Sequence, residues 1–346
     1  MVLFYATLLI LTTLAWGYLF YKKDYHPQPF KVIAQSFGVG LFAMVPVFGY
    51  KYLYQHFLPR LSEYEIFQPL LESALLSGIF IFIANLVLLS IILFALSGLV
   101  SVVLNFFNHN VLTNLKNAIK DEPLGFVTVS LMIGLVIYLQ TLFQNWFNHP
   151  IIGTALGTIL FLAIIEEYIK HLIVRITDDK KLKDIDDAIT LSIVVGLAFA
   201  FIENIIYSLA SGDMSIIFYR TMITIPIHLV ASGIFGYYYG LAHFAQPIVK
   251  IEEGDKTYRS KWLPKLLTFK RSALYREEKI MEGIFFATLF HAVINLLFEF
   301  TLGFLAVPLI VVGIVIIFRL YKVGQKEDRL VAKFRKGWRP KIKKPA

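Results

Sequence analysis

The chain of 346 residues contains no cysteine. That one absence removes disulfides, thiolate metal ligands and a cysteine nucleophile together, while leaving the redox compartment open. Charge is also sparse, with Asp, Glu, Lys and Arg making up 16% of the residues. No basic residue precedes the first apolar run, which begins Met1-Val2-Leu3-Phe4-Tyr5. The n-region of a signal peptide is therefore missing, and the run reads as a retained first span with its N-terminus outside. There is no internal repeat, no glycine-rich phosphate loop and no long low-complexity tract.

Apolar residues dominate what is there. The chain is 57% hydrophobic and 15% aromatic, with a mean hydropathy of +0.67. A soluble domain has about 45–50% apolar residues, and here the excess falls in runs long enough to be membrane helices. The expectation is an all-α polytopic membrane protein, a bundle of about nine transmembrane helices (eight to ten). The runs place spans near 2–21, 31–58, 70–107, 125–147, 150–174, 188–211, 215–243, 280–301 and 304–321. Segment 70–107 exceeds one simple crossing of a core roughly 30 Å thick, so it tilts, runs past the membrane or breaks near Gly78 or Gly98.

The distribution of basic residues orients the bundle. Loops 22–31, 108–124, 175–187 and 244–279 and the C-terminal tail fall on one side and hold nearly all the Lys and Arg. The opposite side has Lys51, Arg60 and Arg220, and Lys170 lies within a span. By the positive-inside rule the C-terminus is cytoplasmic. This asymmetry accounts for the formal net charge of +9, and no nucleic-acid partner is expected. Segment 244–279, with Trp262, Pro264, Phe269 and Tyr275 among its basic residues, is either an interfacial segment or a solvated loop. The tail 322–346, with Trp338 and Pro340, reads as a partly disordered anchor to anionic lipid.

Ionisable side chains interrupt four of the later spans: Glu166, Glu167 and Lys170, then Glu203, then His228, then His291 followed by Asn295. A charged residue at the centre of a membrane helix costs about 2.5–3.5 kcal/mol even on the mildest scale. From a rise of 1.5 Å per residue, Glu166 and Glu167 lie about 12–14 Å from the cytoplasmic face, His291 about 16 Å, and Glu203 and His228 about 20–23 Å. All fall in the middle third, as one shared site requires. At helical spacing Glu166 shares a face with Lys170, Glu203 with Phe199 and Tyr207, His228 with Ser232, and His291 with Asn295. The short connection between the spans of Glu203 and His228 makes those helices antiparallel neighbours.

Each of these residues has a plainer reading. Glu166 or Glu167 with Lys170 can be an ion pair that closes a helix contact, and Lys170 is a charge partner or snorkels to the headgroups. Glu203 can be an interhelical hydrogen-bonding group and a lone His a packing residue. Arg220 reads as interfacial and His171 as structural. Joint occurrence favours chemistry. Carboxylates, imidazoles and an amide in a dry cavity suit amide hydrolysis, one Glu taking a proton from water and returning it to the leaving amine. Asn295 and a His would stabilise the oxyanion. That route needs no cofactor. Alternatively His228, His291 and Glu203 bind a divalent metal such as zinc, although the HExxH signature is absent.

The run Glu166-Glu167-x-x-Lys170, then Phe199-x-x-x-Glu203-Asn204-x-x-Tyr207, then His228, then His291-x-x-x-Asn295, resembles the PrsW family of intramembrane proteases. That family sits in a wider group with the CAAX prenyl endopeptidases and the APH-1 scaffold. The resemblance covers about residues 150–300. It implies a PrsW-like catalytic core at 148–303, preceded by a four-span region of unknown role at 1–147 and followed by a final span at 304–321 and the tail at 322–346. It further implies a prokaryotic cell-membrane protein that cleaves a membrane-anchored protein substrate. The implied site is Glu166, Glu167, Glu203, His228, His291 and Asn295, with Lys170 and Tyr207 in support and Glu167 or Glu166 activating water. Where some members carry HxxxD, this chain has Ser232 after His228, which argues against a role that needs that aspartate. The wider group also includes members without proteolytic activity. The competing classes are a non-catalytic membrane scaffold or immunity-type factor, and a transporter with a proton path. Paired broken helices of the transporter kind are not evident.

Overall fold

Backbone polar groups have no water to bond in hydrocarbon, so long apolar runs satisfy them internally as helices. The computed structural model describes residues 2–45, 47–49, 128–136, 150–178, 181–249 and 271–335, and among them it contains no strand. The long helices are α1 (Val2–Tyr21), α2 (Phe30–Leu41), α3 (Pro150–Asp178), α4 (Ile185–Ser211), α5 (Ile216–His243), α6 (Arg271–Glu299) and α7 (Ala306–Arg335). Five of these segments are long and apolar enough to cross a membrane: α1, α4, α5, α6 and the stretch Gly303–Arg329. The protein is an integral membrane protein. α3 has the length but carries Glu166, Glu167, Lys170 and Arg175 in its second half.

The expected nine spans are only partly in view. Segment 70–107, most of 125–147, and Lys51, Arg60, Trp262, Pro264, Phe269, Trp338 and Pro340 lie outside the described residues. Three boundaries differ from expectation. The segment placed at 31–58 is interrupted at 42–43 and is helical again at 44–45 and 47–49, with 46 and 50–58 outside the described residues. Its first piece, α2, has 12 residues and a length of about 18 Å, too short to cross alone. α6 begins at Arg271 rather than Ile280, with Lys279 paired to Glu282 at 2.7 Å one turn along. α7 continues through Arg335, so the first half of the supposed tail is helical. Tertiary contacts extend it: the Tyr321 hydroxyl meets Thr190 at 2.9 Å and Gln325 donates to Asp186 at 2.8 Å. Asp328 accepts from the Ile185 amide at 3.0 Å.

α4 is the central helix, flanked by α1, α2, α3, α5 and α7. In its most apolar stretch 78% of residues are buried, against 17% for α1 and 22% for Gly303–Arg329. The latter two therefore present their apolar side chains outward: Val307, Val311, Val312 and Val315 of α7 are exposed, while Ile310, Ile317 and Tyr321 face the bundle. Asp184 starts α4 by accepting from the Asp187 amide at 2.9 Å. Gly212 ends it in the left-handed region at φ 68°, where a side chain would be strained. Asp213 then turns the chain into α5, accepting from the Ser215 amide and hydroxyl at 2.8 Å each. The hairpin of α4 and α5 forms as expected. A Cβ at Gly236 would stand 2.7 Å from the Ala188 carbonyl oxygen, so the two backbones meet there as small residues allow.

The connection after α1 carries Asp24, whose carboxyl is pushed up to about 6 by burial and by the neighbouring Asp184.

Candidate active site

Four helices deliver the polar side chains to one place. α3 brings Glu166, Glu167 and Lys170, α4 brings Glu203, Asn204 and Tyr207, α5 brings Arg220 and His228, and α6 brings His291 and Asn295. Pro226 lies inside α5 two residues before His228. Lacking an N–H, it cannot bond the Met222 carbonyl, a gap membrane helices tolerate when packed. Phe199, one turn before Glu203, packs its ring 5.0 Å from that of His228.

A continuous chain of contacts runs through the cluster. Lys170 Nζ donates to Glu167 Oε1 at 2.5 Å and lies 3.0 Å from His228 Nδ1. An ammonium has no acceptor site, so Nδ1 accepts and His228 Nε2–H donates to Glu203 Oε2 at 2.9 Å. Glu203 Oε1 meets Arg220 Nη2 at 2.9 Å, and Arg220 Nε donates to Asn204 Oδ1 at 3.0 Å. The Arg220 guanidinium rests 4.0 Å from the centre of the Tyr207 ring. On the other side, His291 Nδ1–H donates to Glu167 Oε1 at 2.7 Å. That leaves His291 Nε2 facing Glu166 Oε2 across 3.8 Å. The rings of His228 and His291 are 4.8 Å apart.

Glu166, Glu167, Lys170, Glu203, His228 and His291 are all buried. A cavity of about 460 Å³ opens beside them, and its wall includes Glu166, Glu203, Tyr207, Arg220, His228, His291 and Asn295. Glu167 and Lys170 are not part of that wall. All six residues named from the sequence as catalytic thus gather at one site, and five of them reach the cavity. The structure chooses among the alternatives left open for Lys170 and departs from expectation at Arg220. Lys170 pairs with Glu167, three residues away, rather than with Glu166. It does not snorkel, being 3% exposed between Glu167 and His228. Arg220, read as interfacial, reaches inward to Glu203 and Asn204. Arg220 and Asn204, the latter present in the motif without a role, are the candidates that sequence reasoning did not place at the site. Their signals were an arginine within the span of His228 and an amide adjoining Glu203. His171 is structural, its ring packed 4.5 Å from Phe235 and 5.5 Å from Tyr239.

The donor set has the chemistry of a metal centre. Glu166, His228 and His291 each offer a ligand atom within 4.8 Å of the others. Two ligands of one tetrahedral zinc ion stand about 3.4 Å apart, so the three ligand atoms would have to draw together and His228 would have to release Lys170 or Glu203 from one ring nitrogen. Glu167 on His291 Nδ1 matches the carboxylate that orients metal-binding imidazoles. Glu203 differs from expectation, since it engages His228 and Arg220 and lies outside this triple.

Fold and site together define a helical membrane protein with a carboxylate–imidazole centre buried among its spans. Residues 122–253 match the family model described as PrsW family intramembrane metalloprotease. The protease PrsW of Geobacillus kaustophilus (strain HTA426) is 31% identical over 136 residues, covering 38% of this chain and 60% of that protein. The protease PrsW of Bacillus subtilis (strain 168) is 29% identical over 154 residues, covering 43% of this chain and 66% of that protein. The chain therefore spans less than two thirds of the length of these curated relatives. No solved structure matches the chain. His291 and Asn295 lie beyond the matched segment, and geometry brings them to it.

Proposed function

We propose that this protein is an intramembrane peptidase that hydrolyses a peptide bond of a membrane-anchored protein. The observation that carries this reading is the pair Glu166 and His291, whose Oε2 and Nε2 atoms face each other across 3.8 Å at the cavity wall. A carboxylate and an imidazole lone pair repel unless a proton or cation lies between them. The same pair can draw a proton from water in the cavity and return it to a leaving amine. Asn295 lines the cavity one helical turn from His291 and supplies an amide donor for the oxyanion. His228 is fixed on both ring nitrogens by Lys170 and Glu203. Glu167 is a positioning residue that orients His291, and Lys170 holds Glu167 and His228 together.

The family description and the donor set support a divalent metal such as zinc, which Glu166 and His291 would hold together with His228 once that ring exchanges its contact with Lys170 or Glu203 for the ion. When bound, such an ion supplies a Lewis acid and lowers the pKa of a bound water. The name protease PrsW, borne by both bacterial relatives, supports a protein as the substrate. On this reading nine spans put the N-terminus outside and the C-terminus in the cytoplasm of a prokaryotic cell. The basic segments 244–279 and 322–346 then meet anionic lipid.

The test compares membrane-protein fragments in cells making the wild type or Glu166→Gln, identified by terminal-peptide proteomics. Cleavage products present with the wild type fall by about 10²–10⁴-fold with the variant, the range of a lost general acid–base group. Equal fragment profiles at equal protein level would end the peptidase assignment.

A further inference from the structure

A second group of carboxylates, two of them buried and one half-buried, takes no part in the reaction proposed above. Asp24 lies in the connection between α1 and α2, and Asp184 and Asp187 at the start of α4. Each of the three places one carboxylate oxygen within 4.8 Å of the others. Asp24 is 5% exposed and Asp187 0%. Among the described residues Asp187 Oδ1 and Asp24 Oδ2 are buried without a well-formed hydrogen bond, the Thr190 hydroxyl giving the Asp24 carboxyl partial support. A dry, unpaired carboxylate oxygen is costly, and the remedies are a proton, a counter-charge or a metal.

The remaining oxygens are held in place. Asp24 Oδ1 accepts from the His26 amide at 2.9 Å. Asp187 Oδ2 accepts from Gln28 Nε2 at 2.7 Å and from the Lys183 amide at 2.8 Å. Gln28 is anchored in turn on the Lys181 carbonyl at 3.0 Å. Asp184 Oδ1 caps α4, and its Oδ2 faces the His26 ring at 3.4 Å. That imidazole is 66% exposed and neutralises one carboxylate only when protonated. The geometry is preset while the charge is left over.

We propose that Asp24, Asp184 and Asp187 form a second cation site, separate from the Glu166–His228–His291 centre. Donors that are all carboxylate oxygens select a hard divalent ion such as Mg²⁺, Mn²⁺ or Ca²⁺ over zinc. The bound ion would satisfy the orphaned oxygens and tie the segment after α1 to the start of α4, the helix that carries Glu203.

The test uses Mn²⁺ as the probe, with the full-length protein purified in detergent and stripped of metal. Free Mn²⁺ is followed by electron paramagnetic resonance in the wild type and in His291→Ala, where the first centre is crippled. One Mn²⁺ site displaced by excess Mg²⁺ or Ca²⁺ is expected in His291→Ala, and the same site in the wild type beside any Mn²⁺ that the first centre takes up. In Asp24→Asn and Asp187→Asn its affinity should fall at least about tenfold. Asp187 also helps to build the start of α4, so Asp24→Asn, in a connection, decides the matter if Asp187→Asn fails to fold. No saturable Mn²⁺ binding in the wild type overturns the proposal. So does binding that disappears in His291→Ala, or binding unchanged in Asp24→Asn. None of these results depends on whether the protein cleaves a peptide.

Discussion

Glu166 and Glu167 are neighbours in sequence with opposite surroundings, and the difference lies in what each side chain meets. Glu167 is enclosed by Lys170 and His291, whereas Glu166 faces the cavity. Breaking a buried ion pair from one side costs about 3–5 kcal/mol, because the abandoned charge stays in low dielectric. Lys170→Met should therefore lower the unfolding midpoint in detergent sharply. The double variant Lys170→Met/Glu167→Gln should recover much of that loss, since both charges leave together. A thermal-unfolding double-mutant cycle reads the coupling, and strictly additive effects would show that the pair is not coupled.

At the scale of elements, the site depends on how closely α4 and α5 approach. Glu203 and His228 meet because small residues let the two backbones touch: a Cβ at Gly236 would stand 2.7 Å from the Ala188 carbonyl oxygen and 2.8 Å from the Ile189 Cα. Rigid backbone on the other side leaves nothing to give way. Gly236→Leu should cost at least the about 1–3 kcal/mol of overpacking. It should also weaken the 2.9 Å contact between His228 and Glu203, two turns along. The expected outcome is a lower unfolding temperature together with reduced turnover, while Gly38→Ala, which meets nothing within 4 Å, leaves both unchanged. Turnover intact in Gly236→Leu would show that the crossing does not position the site.

For the whole molecule, the open chemical question is what lies between Glu166 and His291. A metal-dependent peptidase purifies with one tightly held equivalent at this centre, and stripping it stops turnover, which zinc restores. Elemental analysis beside a chelator titration makes the comparison. We expect His291→Ala to lose that equivalent while Asp24→Asn keeps it. Full turnover by metal-free protein would instead assign water activation to Glu166 alone.

Hydropathy alone determined that the chain is helical and embedded in membrane, because hydrocarbon forbids unpaired backbone and the apolar runs are long. Helical periodicity and depth also marked Glu166, Glu167, Glu203, His228, His291 and Asn295 as one group, and similar depth followed from counting residues at constant rise. Partner choice was not legible. On α3, Lys170 is close to residues three and four before it alike, and only His228 and His291 arriving from other helices decide that Glu167 turns inward. Arg220 looked interfacial because sequence gives height along a helix but not the neighbour its long side chain can reach. The helical extension of α7 and the meeting of Asp24 with Asp184 and Asp187 are likewise tertiary. They join segments far apart in the chain, and no local periodicity encodes which distant carboxylates will share a buried space.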